Sequence, residues 1–206
     1  MFVLLLDIIT LVVVGFYFST SKREKNLLPL ILYLIIGVLS DYIFNPIIKH
    51  YSNNYSIGLR IFTFIEFLCI STFYYRVFGE KSKKLLALIV AAFGVFSIID
   101  FYFSRNSLFD SVPTGISSLV FVSYSIIFFY YQLKYNHSTL IYRLFEFWAI
   151  VGVFIYFSGN FFLFIFSQKN FSDPLFKNLF YAFMTVFSIM RNLFWLTAII
   201  VSKKRS

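Results

Sequence analysis

Five ionisable side chains lie inside long apolar runs of this sequence, where charge is rare. They are Asp7, Asp41, Glu66, Asp100 and Arg191. A charged side chain near the centre of a bilayer costs about 2.5–3.5 kcal/mol on insertion scales, so such residues pair with one another, take up a proton or line a wet cavity. Because intramembrane charges usually mark binding sites or ion pathways, these five are the first candidates for function.

Polar and small residues recur at helical spacing beside these charges, and a four-residue spacing keeps side chains on one helix face. Three runs carry such a stripe: Tyr33, Gly37, Asp41 and Asn45; Trp148, Gly152, Tyr156, Gly159 and Asn160; and Tyr181, Thr185, Ser188 and Asn192. The Gly, Ser and Thr members are typical of close helix packing in membranes. The larger polar members are candidates for a site.

Two interpretations of the charged residues remain open. In the structural one, Arg191 pairs with Glu66, and the other acids hydrogen-bond as neutral groups or approach the outer surface. In the functional one, an outward-facing polar pocket binds a solute, cation, proton or lipid headgroup. The residues predicted for that pocket or its charge network are Asp41, Glu66, Arg191, Asp100, Asp7, Arg60, Tyr33, Tyr156, Asn160 and Asn192.

The elements that must position these residues are apolar helices. Of 206 residues, 60% are hydrophobic and 13% are charged, whereas soluble domains carry about 25% charge. About 20 helical residues cross a bilayer core. The predicted spans are 2–18, 27–48, 57–78, 85–103, 115–133, 144–166 and 175–201. The sequence therefore predicts an all-α fold, a single transmembrane domain (1–206) with seven membrane helices. The first run is expected to be retained, because its positive charges follow the apolar stretch instead of preceding it.

The net charge of +9 follows the same topology. With the N-terminus outside, the inner segments hold twelve basic residues and the outer segments hold five. This excess predicts an N-out, C-in orientation in the cytoplasmic membrane. In this orientation the acids of predicted helices 1 to 4 fall in the outer halves of their helices. They are therefore expected to share one depth band in the membrane. These acids are Asp7, Asp41, Glu66 and Asp100. The basic inner face is a candidate surface for a membrane or cytoplasmic protein partner, and the distribution of charge argues against nucleic-acid binding.

Established kinds of enzyme site are not evident in the sequence. A zinc site needs several converging ligands, but His50 and His137 fall on opposite predicted sides of the membrane. The same separation argues against Ser–His catalysis. Cys69 is the single cysteine, which excludes an intramolecular disulfide. We therefore assign no catalytic residue, no metal and no cofactor. The sequence favours a non-enzymatic role and leaves an acid-based lipid enzyme as an alternative.

Several short motifs resemble those of a group of small seven-helix integral membrane proteins of bacteria. The matching residues are Asp41, Glu66-Phe67, Phe147-Trp148 with Gly152, Tyr156 and Gly159, and Ile189-Met190-Arg191-Asn192. A neutral residue is more usual at position 191 in that group. The resemblance covers nearly the full chain and implies the seven-helix fold, and it points again to Asp41 and Glu66. The group carries no settled activity.

The function predicted from these features is a membrane sensing or partner-binding module. Its outward-facing polar pocket would take a small ligand or lipid, and a helix shift would reach a partner at the inner face. The alternatives are a small secondary transporter or ion/proton pathway that uses the intramembrane acids, and a structural subunit of a membrane complex.

Overall fold

The structure is a computed structural model that describes residues 2–20, 28–40, 55–103, 111–135, 141–170 and 173–203. Within these residues the chain forms seven α-helices and no strand. The helices are α1 Phe2–Thr20, α2 Leu28–Leu39, α3 Tyr55–Phe78, α4 Lys83–Phe103, α5 Ser111–Tyr135, α6 Phe145–Asn170 and α7 Pro174–Lys203. The predicted all-α fold is confirmed for this part of the chain.

Five of the helices, α3 to α7, are long and apolar enough to cross a bilayer. The described apolar parts of α1 and α2 are shorter, at Leu5–Phe16 and Leu28–Leu39. The second predicted span continues to residue 48, and its part from residue 41 onward lies outside the described residues. The protein is therefore a helical membrane protein with at least five membrane-length helices.

Helix ends follow local sequence signals. Pro174 occupies the first position of α7, where its missing N–H is tolerated, and the Asp173 carboxylate accepts a hydrogen bond from the Leu175 N–H at 3.0 Å. This is the geometry of an N-cap. At its C-terminus, α3 ends before Gly79, whose φ of 72° is accessible to glycine without strain. These signals fix the register of α3 and α7, the helices that carry Glu66 and Arg191.

The helices close into a ring. α1 contacts both α2 and α7, α2 contacts α3, α3 contacts α5, α5 contacts α6, and α6 contacts α7. α4 lies at the edge of this ring, against α3 and α5, and only 11% of its apolar span is buried, compared with 50% for α5. The first and last helices of the chain are therefore neighbours inside the bundle, while α4 presents most of its apolar surface outward.

An aromatic core joins α3, α4, α5 and α6. The Phe67 ring lies 3.8 Å from the Phe93 ring and 5.1 Å from the Phe121 ring, measured between centroids. Phe121 lies 4.6 Å from Phe157 in the same way. The two tilted pairs, Phe67–Phe121 and Phe121–Phe157, have distances at which aromatic pairs are favourable beyond the apolar area they bury. This core holds one side of the bundle together.

Candidate functional site

Arg191 on α7 is buried inside the bundle and is 5% exposed. Its Nη2 donates to Asp7 Oδ1 at 2.8 Å, and its Nη1 donates to the Tyr33 hydroxyl at 2.6 Å. Its Nε donates to Asn192 Oδ1 at 3.3 Å. The planar guanidinium group presents its donors in a fixed fork, so one side chain connects α7 with α1 and α2.

Aromatic rings surround the same guanidinium group. Its central carbon lies 4.7 Å from the Tyr156 ring centroid, 5.2 Å from that of Tyr33 and 5.3 Å from that of Trp195. A desolvated cation over aromatic faces gains about 2 kcal/mol or more. The positive charge is therefore held both by hydrogen bonds and by three rings from α2, α6 and α7.

Glu66 on α3 joins this arrangement through Tyr33. The Tyr33 hydroxyl donates to Glu66 Oε1 at 2.9 Å while it accepts from Arg191. Asn192 completes the contacts, because its Nδ2 donates to Asp7 Oδ1 at 2.6 Å. We call the six connected residues the central polar cluster: Asp7, Tyr33, Glu66, Tyr156, Arg191 and Asn192.

Glycines allow α6 and α7 to approach closely beside the cluster. A Cβ atom on Gly152 would lie 3.0 Å from the Trp195 ring and 3.1 Å from the Arg191 carbonyl oxygen. A Cβ atom on Gly159 would overlap the Phe187 ring. The Trp195 Nε1 donates to the Ala149 carbonyl at 3.2 Å, which fixes its ring against Arg191. The glycine stripe thus lies at a helix interface and positions the site.

Two buried polar atoms near the cluster lack a hydrogen-bond partner within the described part of the chain. They are Asn160 Oδ1 and Thr10 Oγ1, on residues that are 2% and 0% exposed. Asn160 follows Tyr156 by about one turn, and Thr10 follows Asp7 by about one turn. An unpaired buried oxygen carries a desolvation cost.

Arg60 and Asp100 form a separate pair. Arg60 Nη2 lies 3.8 Å from Asp100 Oδ2, and Nη1 donates to the Asp100 carbonyl oxygen at 3.4 Å. Arg60 precedes Glu66 by six residues, which is about 9 Å along α3. Asp7 is bound directly to Arg191 and Glu66 is linked to it through Tyr33, whereas Asp100 pairs with Arg60.

The remaining predicted site residues can be placed as well. Asp41 lies outside the described residues. Arg191 pairs with Asp7 and reaches Glu66 only through Tyr33, which corrects the direct Arg191–Glu66 pair of the structural interpretation. The sequence analysis missed Trp195, although its position four residues after Arg191 places it on the same helix face.

The chemistry available at the cluster is that of one guanidinium group, two carboxyl groups, two phenolic hydroxyls and one carboxamide. No group of three or more His, Cys, Asp or Glu side chains among the described residues could hold a metal ion. The arrangement suits charge pairing, proton uptake and recognition of a small polar group. The fold and the site define a polytopic helical membrane protein with a buried charge cluster.

Comparisons do not narrow this class further: no protein-family model, no curated protein and no solved structure matches the chain.

Proposed function

We propose that the protein is a membrane sensing or partner-binding module whose central polar cluster is the responsive element. The observation that carries the proposal is that one side chain, Arg191, connects α7 to α1 and α2, and through Tyr33 to α3. A small ligand or lipid that competes for any of these contacts changes the balance among four helices. A switch requires an element with two arrangements, and this proposal assigns that role to the hydrogen-bonded cluster.

The proposed orientation is N-out and C-in, in a cytoplasmic membrane. The described basic residues Arg76, Lys83, Lys84, Lys134 and Arg143 lie at the end of α3, the start of α4, the end of α5 and just before α6. In an up-and-down bundle with short connections these four positions share one side. A basic face of this kind attracts anionic lipids and acidic segments of a partner.

Native mass spectrometry of the protein in lipid nanodiscs tests the proposal. We expect wild-type protein to retain a small molecule or lipid that Glu66→Gln and Arg191→Gln lose. Asp100→Asn is the matched control, because Asp100 lies in the separate Arg60 pair and this variant keeps the central cluster intact. Equal retention by all four proteins would contradict a binding role for the cluster.

A proton or ion pathway is the second candidate, and a specific observation favours it. Buried polar contacts continue along α3 and α5 on both sides of Glu66: Thr63 lies 3.5 Å from Thr114, and Tyr74 lies 2.6 Å from Ser125, measured between hydroxyl oxygens. Proteoliposomes with an entrapped pH-sensitive dye distinguish the two candidates. Proton flux that disappears in Glu66→Gln would replace the sensing proposal with a transport function.

A further inference from the structure

The charges of the central polar cluster do not balance if both of its acids are ionised. Arg191 is the only described cation in contact with the cluster, and its ion pair is with Asp7 at 2.8 Å. The contact of Glu66 is the neutral Tyr33 hydroxyl. Glu66 is 5% exposed, and an ionised carboxylate that is buried without a cation is very costly. Glu66 therefore requires a proton or another cation.

Among the residues that the structure describes, the groups around Glu66 offer no second positive charge. Tyr33 faces it from α2, Tyr156 from α6, Arg191 from α7, and Cys69 lies one turn further along α3 itself. From α1, Asp7 adds negative charge on the far side of Arg191. The nearest titratable groups of α4 and α5 are directed elsewhere: Asp100 pairs with Arg60, and Tyr124 packs on Tyr74, eight residues beyond Glu66.

We propose that Glu66 is a proton-binding site and that this proton is an exchangeable ligand of the central polar cluster. The Tyr33 hydroxyl donates to Oε1, so the proton resides on Oε2, and the neutral acid then keeps its contact with Tyr33. This proposal adds a proton to the small molecule or lipid proposed above, and it rests on the sensing function for the consequence of proton binding. Proton binding itself does not depend on it.

Release of the proton from Glu66 changes which carboxylate can pair with Arg191. Ionised Glu66 competes with Asp7 for the guanidinium group, whose Nη1 already contacts the Tyr33 hydroxyl that bridges to Glu66. A shift of Arg191 toward Glu66 weakens its bond to Asp7, which is one of the contacts between α1 and α7. Protonated and ionised Glu66 thus correspond to two arrangements of α1 against α7.

Infrared spectroscopy of the full chain in lipid nanodiscs tests the proton directly. We expect a C=O band of a protonated carboxylic acid at neutral pH that is lost at alkaline pH and shifts in D₂O. Carboxyl-¹³C glutamate should shift this band further, which assigns it to glutamate without any substitution. Glu66→Gln should remove it, whereas Glu146→Gln should leave it in place. Absence of the glutamate band in wild-type protein at neutral pH would overturn the proposal.

The charge balance of the cluster predicts a second result, which would not be expected if Glu66 were protonated only because it is buried. In Asp7→Asn, Arg191 has a single acid left to serve, so Glu66 should ionise and the band should disappear at neutral pH. Asp100→Asn should keep the band. A band that persists unchanged in Asp7→Asn would contradict the charge argument. Stabilisation of wild-type protein by Na⁺ without any protonated band would assign the site to a metal cation and reject the proton.

Trp195 separates failure of the proton site from failure of the sensing function. Its ring packs edge-on against Tyr33, with centroids 5.8 Å apart, so it reports on the cluster in a Trp148→Phe background. We expect its emission to change over the same pH range as the infrared band, and not in Glu66→Gln. A titrating band with invariant emission would keep the proton site and contradict the proposed helix response.

Discussion

Arg191 shows, at the scale of a residue, how a single buried cation can organise acids from several helices. Its guanidinium group serves Asp7, Tyr33 and Asn192 at once, and this is a task for a planar fork of donors that a lysine ammonium group cannot reproduce. Arg191, Glu66 and Tyr33 were all predicted site residues, but the partner predicted for Arg191 in the structural interpretation was Glu66, whereas the structure pairs Arg191 with Asp7. Spacing along α7 determines which face carries Arg191, whereas its partner depends on which helix packs against that face.

Removal of the buried cation is expected to destabilise the bundle strongly. Arg191→Gln leaves the partly buried Asp7 without its ion pair, and breaking a fully buried pair costs about 3–5 kcal/mol, so the loss should approach this range. The free energy of unfolding of Arg191→Lys should lie between those of Arg191→Gln and wild type. The measurement is the free energy of unfolding in mixed micelles titrated with SDS. The control is Arg60→Gln, whose pair with Asp100 is longer at 3.8 Å; an equal loss in both variants would contradict a central role for Arg191.

The bridging hydroxyl of Tyr33 can be tested without loss of its ring. Tyr33→Phe keeps the aromatic face near Arg191 but removes the hydrogen bonds to Glu66 and from Arg191, and a buried partner left unsatisfied costs about 1–3 kcal/mol. Tyr102→Phe is the matched control because Tyr102 is 75% exposed. The same SDS titration measures both variants. If Tyr33→Phe were as stable as Tyr102→Phe, the hydroxyl would contribute nothing to the cluster.

At the scale of the element, the contact of α6 with α7 determines where Arg191 and Trp195 lie. The periodic glycines of α6 indicated a packing face from sequence alone, because small residues let membrane helices approach. Which helix they meet could not be predicted, since the rotation of α6 depends on tertiary packing. The structure shows that Gly152 meets Trp195 and Gly159 meets Phe187, both on α7.

Substitutions at glycine distinguish this interface from open helix surface. Gly159→Ala places a methyl group against the Phe187 ring, and overpacking of this kind costs about 1–3 kcal/mol. Gly37→Ala on α2 meets nothing within 4 Å, so it should be neutral or stabilise its helix by roughly 0.5–1 kcal/mol. The changes in unfolding free energy relative to wild type should therefore differ between the two variants, either in sign or clearly in size. Equal values would contradict the close approach of α6 and α7.

At the scale of the whole molecule, apolar runs in the sequence predict the helices well. They do not predict that α1 packs against α7 and closes the ring. The predicted spans 144–166 and 175–201 correspond to α6 Phe145–Asn170 and α7 Pro174–Lys203, because length and apolarity are local properties. The contact of α1 with α7 is the most distant one along the chain, and no local pattern encodes it. The hydrogen bond between Asp7 and Arg191 joins residues that are 184 positions apart in the sequence. The site therefore depends on the closure of the ring.

The orientation of the whole molecule can be measured in cells. The excess of basic residues on one side predicts that position 50 lies outside and position 137 lies in the cytoplasm. In a Cys69→Ser background, His50→Cys should react with a membrane-impermeant thiol reagent in intact cells, and His137→Cys should react only after permeabilisation. The opposite pattern would invert the bundle and move the basic face outward. Because Arg191, Asp7 and Glu66 lie inside the bundle, their mutual contacts would survive that inversion, but the proposed inner partner would not.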